Sequence, residues 1–122
     1  MKKILFIEDE PALQESFKSA FARKGYELMQ AMDGDDGLAR MRVDKPDMVL
    51  LDLILPKKHG FEVLQEMKND AVLKELPVIV LTNLENSEDV EKALELGATT
   101  YLVKANYSLE EIVQKVEEAL RS

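Results

Sequence analysis

Apolar residues gather in five short runs, separated by stretches in which they recur every three or four positions. "KILFI" (Lys3 to Ile7) is almost continuously apolar, as in a parallel strand covered on both faces. Asp47 to Asp52, "PVIVLT" (Pro77 to Thr82) and "TYLV" (Thr100 to Val103) read the same way, whereas Tyr26 to Met32 alternates in part and suits a sheet edge. Between the strands the period changes. Leu13, Phe17, Ala20 and Phe21 predict a helix that Pro11 opens and Gly25 closes. "DGDDG" (Asp33 to Gly37) reads as a turn before a short helix with Leu38 and Met41 inward, which Pro46 stops. Phe61 to Asn69 is a third helix. Asn86 or Ser87 caps a fourth, with Val90, Ala93 and Leu94 inward and Gly97 at its end. Ser108 and Glu111 form a capping box for a last helix striped by Leu109, Ile112, Val113, Val116, Ala119 and Leu120. Strand and helix alternate five times, which predicts an open parallel sheet with helices on both faces. Such sheets bind ligands beyond the carboxyl ends of their strands, where the strand order reverses.

Composition narrows the function. The chain has 122 residues, 46% of them apolar and 33% charged, which fits one soluble globular domain. A net charge of -8 repels phosphate backbones and argues against direct nucleic-acid binding. With no cysteine there is no disulfide and no thiolate metal site. Charge returns at Glu8, too early for a signal peptide, and no apolar run is long enough to cross a membrane. A cytoplasmic location is the expectation.

The carboxyl ends of the strands carry the chemistry. The first ends in Glu8 and Asp9, the third in Asp52, the fourth in Thr82 and the fifth in Lys104. Singly, each has a bland reading as a helix-start acid, a strand terminus or a solvated charge. Together they place three carboxylates, a hydroxyl and an ammonium on one rim. Three carboxylates repel one another and call for a cation. Oxygen donors without His or Cys favour a hard ion, Mg²⁺ first. Such an ion, with Thr82 and Lys104, suits phosphoryl oxygens, and Asp52 becomes the natural nucleophile for an acyl phosphate. His59, the only histidine, lies in a Lys- and Gly-flanked loop and reads as exposed and non-ligating. Neither GxGxxG nor GxxxxGK[ST] occurs.

The acidic pair "ED", "LLDLILPKKHG", "VIVLT" and "GATTYLVK", at these spacings, resemble the receiver domain of two-component response regulators. The likeness runs from Lys3 to about Leu120, so residues 1–122 are expected to be a single receiver domain without an effector domain. It implies a flavodoxin-like (βα)5 sandwich with strand order 2-1-3-4-5. It implies that Asp52 accepts a phosphoryl group from the phosphohistidine of a sensor histidine kinase or phosphotransfer protein. Asp9, Asp52 and the backbone carbonyl of Ile54 would ligate Mg²⁺ (or Mn²⁺), with Glu8 acting through water. Thr82 and Lys104 would contact the phosphoryl oxygens. Thr82 and Tyr101 would form the switch, and the surface from Ser87 to Leu120 would signal to a downstream protein. The chain would catalyse only its own phosphorylation and dephosphorylation, as a monomer or a phosphorylation-dependent dimer.

Two departures stand out. The family usually has Lys-Pro after the fifth strand, often with a cis bond, but here it is Lys104-Ala105, for which a trans bond is expected. Asn83 replaces a usually small residue at the pocket mouth, where its amide would narrow access. Ile54 and Leu84 occupy two positions that tune hydrolysis in the family. Both are apolar, which implies a long-lived phosphorylated state. Two rivals fit less well. A flavodoxin-type cofactor module needs a hydroxyl-rich loop where this chain has "EDEPAL". An aspartate-nucleophile phosphatase needs an acid where this chain has Ile54.

Overall fold

The computed structural model describes residues 1–121. Five strands, β1 (Lys3–Ile7), β2 (Glu27–Ala31), β3 (Met48–Leu51), β4 (Val78–Thr82) and β5 (Thr100–Val103), alternate with α1 (Pro11–Arg23), α2 (Gly34–Asp44), α3 (Gly60–Lys68), α4 (Ser87–Glu95) and α5 (Leu109–Arg121). Short 3-10 turns add Leu73–Glu75 and Lys104–Asn106. The strands pair in parallel, in the order β2-β1-β3-β4-β5. The order reverses between β1 and β3, as in flavodoxin-like sheets.

The continuous apolar runs follow from burial on both sides. Successive side chains of a strand point to opposite faces. Leu5, Ile7, Val49, Leu51 and Val80 meet Leu38, Met41, Val63, Leu64, Met67 and Ala93 on the side of α2, α3 and α4. Ile4, Phe6, Leu50, Ile79, Leu81 and Leu102 meet Phe17, Phe21, Ile112, Val113 and Val116 on the side of α1 and α5. Phe6 and Phe17 stack with ring centroids 4.5 Å apart.

Two local expectations change. "DGDDG" is the first turn of α2 itself, because the Asp33 carboxylate accepts the Asp36 N–H and caps the helix. In α4, Ala93 is buried but Leu94 is 46% exposed. At about 100° per residue, Val90, Ala93 and Leu96 share a stripe and Leu94 swings away from it. Leu96 packs on the core instead. Gly25 and Gly97, with φ of +87° and +106°, close α1 and α4 as their sequence positions suggest. The capping box of α5 is formed in both directions: the Ser108 N–H donates to Glu111 at 2.8 Å, and the Glu111 N–H donates to Ser108 Oγ at 3.2 Å.

Candidate functional site

The central strands end side by side. The Asp52 N–H donates to the Ile7 carbonyl at 3.1 Å, and the Glu8 N–H to the Ala31 carbonyl at 3.0 Å. Pairing thus continues past the last regular residues of β1 and β3 and fixes the backbone of both acids. Asp9 follows and is exposed, whereas Glu8 and Asp52 are buried. The three carboxylates offer oxygens that all lie within 4.8 Å of one another. Asp52 Oδ1 accepts the Ile54 N–H at 3.3 Å.

From the far side of the sheet, Lys104 reaches across. Its Nζ donates to Glu8 Oε1 at 2.5 Å and to Asp52 Oδ2 at 3.1 Å. Burial opposes the ammonium charge, but the hydrogen bond it donates to Glu8 and the field of Asp52 outweigh it, so Lys104 holds its proton more tightly than an ordinary lysine. Burial pushes the Glu8 carboxyl above the usual range, with Lys104 pulling the other way. Thr82 ends β4, where it is buried and stands in register with Val103, the residue before Lys104. Three carboxylates against one ammonium leave the site negative. All-oxygen donors with an excess of negative charge fit a hard divalent cation.

The loop after Asp52 is clasped from below. Lys57 pairs with Asp33 at 3.6 Å and Lys58 with Asp35 at 3.4 Å, both from the start of α2. The Gly60 N–H donates to the Leu53 carbonyl at 2.8 Å. A Cβ on Gly60 would come within 2.6 Å of Leu53 Cα and 2.8 Å of the Asp52 carbonyl, so glycine is what lets α3 begin under the nucleophile candidate. Ile54 itself is 54% exposed. The Tyr101 hydroxyl donates to the Leu84 carbonyl at 2.8 Å, tying β5 to the loop before α4.

Three residues emerge that sequence reading missed or misjudged. Gln14 in α1 is buried, and its Nε2 lies 2.9, 3.0 and 3.2 Å from the carbonyls of Phe6, Glu8 and Ala31. It bolts α1 to the strand ends beneath the acids. His59 is a half-buried cap rather than an exposed loop residue: its Nδ1 accepts the Phe61 N–H at 3.1 Å and starts α3. The Asn83 Oδ1 accepts the Ala105 N–H at 3.1 Å. That amide oxygen is engaged with the loop after β5. The Lys104–Ala105 bond is trans, as are the other peptide bonds of the described residues.

Comparison with known proteins gives the site its family. The model of the response regulator receiver domain matches residues 4–117. The sequence is 36% identical over 121 residues to the DNA-binding dual master transcriptional regulator RpaA of Synechocystis, covering 99% of this chain and 50% of that protein. The chain spans about half the length of the curated relatives it matches. Among solved structures, the phosphorylated cyanobacterial phytochrome response regulator RcpA superimposes with a TM-score of 0.87 at 35% identity, over 99% of this chain and 94% of that one. The Mn²⁺-bound form of response regulator Rcp1 does so with a TM-score of 0.83 at 35% identity, over 97% and 93%. With the family model, these relatives and the rim of acids and lysine in agreement, the chain belongs to the response regulator receiver domain family.

Proposed function

We propose that this chain is a phosphorylation-driven switch in which Asp52 accepts the phosphoryl group from a sensor histidine kinase or a histidine phosphotransfer protein. The observation that carries the reading is the Asp52 carboxylate. It is buried at the point where strand order reverses, one oxygen on the Lys104 ammonium and the other on the Ile54 N–H, with Glu8 and Asp9 beside it. One Asp52 oxygen attacks phosphorus, the new O–P bond forms, and the P–N bond to the donor imidazole breaks with its electron pair leaving on nitrogen. Thr82 donates a hydrogen bond to one phosphoryl oxygen and Lys104 neutralises another. Asp9, Asp52 and the Ile54 carbonyl, supported by Glu8, would hold Mg²⁺ (or Mn²⁺), which supplies neutralising charge to the phosphoryl oxygens. A relative solved with Mn²⁺ supports a divalent site here.

Output follows from Thr82. Drawing its hydroxyl toward the phosphoryl group moves the loop that begins at Asn83, and that loop holds Tyr101 through the Leu84 carbonyl. The face formed by α4, β5 and α5 is then the surface a downstream protein reads. Phosphorylation shifts a population that already exists, by binding one arrangement better than the other. The chemistry is stoichiometric: the chain works on itself and turns over no external substrate.

Intact mass tests this reading. The protein is incubated with Mg²⁺ and a small acyl or amido phosphate. One phosphoryl adduct is expected, and none in Asp52→Ala or with the metal chelated. A wild-type mass unchanged by every donor overturns it.

A further inference from the structure

The β4–β5 ladder ends at the pair Thr82 and Val103. Beyond it the two chains part. Asn83 leads into the loop before α4, and Lys104 opens the 3-10 turn Lys104–Asn106. The first N–H groups of any helical turn have no partner within it. The Ala105 N–H is one of these, and Asn83 Oδ1 accepts it at 3.1 Å. The Asn83 side chain therefore carries the strand pairing one step further after the backbones have diverged.

Lys104 is thus fixed on both flanks, by the ladder at Val103 and by Asn83 at Ala105. From this anchored backbone its side chain crosses to Glu8 and Asp52. A lysine carries its charge on a flexible four-carbon stem, so the reach of the ammonium depends on how firmly the stem is rooted. Asn83 is also covalently next to Thr82. One side-chain hydrogen bond therefore joins the backbones that carry the two groups directed at the phosphoryl oxygens.

We infer that Asn83 is a positioning residue, which through the Ala105 N–H sets the reach of Lys104 and makes the loops of Thr82 and Lys104 close together. This rests on the phosphotransfer reading of Asp52. Asn83 and Ala105 form a matched pair, because a proline at 105 would have no N–H to offer. The bond lies at the surface, so its loss shifts global stability little while loosening the root of Lys104.

The test is a double-mutant cycle of Asn83→Ala and Ala105→Pro, read by the rate of phosphorylation from phosphoramidate with Mg²⁺. Urea midpoints and hydrogen exchange at the Ala105 amide are measured alongside. Asn83→Ala is expected to slow phosphorylation roughly three- to tenfold, to speed exchange at Ala105 and to leave the urea midpoint in place. In the Ala105→Pro background the same change should do nothing more. Wild-type rates in Asn83→Ala, or equal slowing in both backgrounds, overturn the inference. If Ala105→Pro is inactive by itself, the Asn83→Ala rate and the Ala105 exchange decide. A wild-type chain that takes up no phosphoryl group overturns the Asp52 reading and this inference together. An active wild type with an unchanged Asn83→Ala overturns this inference alone.

Discussion

Ile54 and Leu84 bear on how long a phosphoryl group on Asp52 would last. Loss of the group needs a water aligned with the phosphorus, and neither side chain has an atom to hold one. Ile54 is exposed, and Leu84, whose partly buried side chain packs at the edge of the core, holds Tyr101 through its backbone carbonyl, which a substitution there retains. Ile54→Asn combined with Leu84→Glu is expected to speed decay of the phosphorylated chain on the order of tenfold. A decay assay that finds equal half-lives refutes this. Residues of this site differed in how readable they were. Asp52, Glu8 and Lys104 betray themselves because each puts a charge at the end of an apolar run. Gln14 gave a weaker signal, a polar side chain on the inner stripe of α1, three and seven positions before Phe17 and Phe21. Its partners are backbone carbonyls of two strands, which no local pattern names. His59 was hidden for another reason: histidine is not among the usual helix caps, and its Nδ1 accepts an N–H only through a lone pair that protonation removes.

At the scale of elements, most boundaries followed from apolar period and caps, and the errors lie where a cap and a turn share residue types. Asp33 is such a case. The Asp36 N–H, aided by Lys57 and opposed by burial, holds the Asp33 carboxyl below its ordinary value. A carboxyl depressed in the folded state stabilises fully above its unfolded value, and that contribution is lost as pH falls through the folded one. Asp33→Ala is therefore expected to lower stability by about 1 kcal/mol at neutral pH. The gap from wild type should narrow below about pH 4. Urea titrations at pH 7 and pH 3 check it, and a gap of constant size refutes it. The start of α3 sets two known effects against each other. Alanine is favoured over glycine in a helix by about 1 kcal/mol. At Gly60, however, a Cβ would meet the backbone of Leu53 and Asp52 at 2.6 and 2.8 Å, and neither atom can swing aside as a side-chain tip would. Overpacking of this kind costs about 1–3 kcal/mol, so Gly60→Ala is expected to be the less stable protein. Because the displaced backbone belongs to Asp52, phosphorylation should slow as well. A variant with wild-type stability and rate would show that the strand end yields more easily than this packing implies.

For the whole molecule, alternation of strand and helix announced a parallel sheet with two covered faces, since four of the five runs lacked a polar side. The order of strands was not in the pattern. It came from likeness to a family, because the pattern marks the second run for an edge but the other four, buried and of similar composition, carry no label saying which is central. What the order does is bring β1 next to β3, and with them three carboxylates onto one rim of a chain already at -8. The metal-free fold therefore contains repulsion at this rim, which Lys104 offsets in part through its ion pairs with Glu8 and Asp52. A divalent cation that binds the folded rim stabilises it by mass action, by about 2.7 kcal/mol at one hundred times its dissociation constant. Asp9 separates this effect from folding itself, because it is exposed while Glu8 and Asp52 lie within the Lys104 network. Asp9→Asn removes one repelling charge and one proposed metal ligand at once. In chelator the variant should equal or exceed wild type in urea stability. In saturating Mg²⁺ the wild type should gain and the variant should not, so that the order of the two proteins reverses. Equal gains in both proteins would mean that the cation stabilises the chain by screening its overall charge, and Asp9 would lose its place among the ligands.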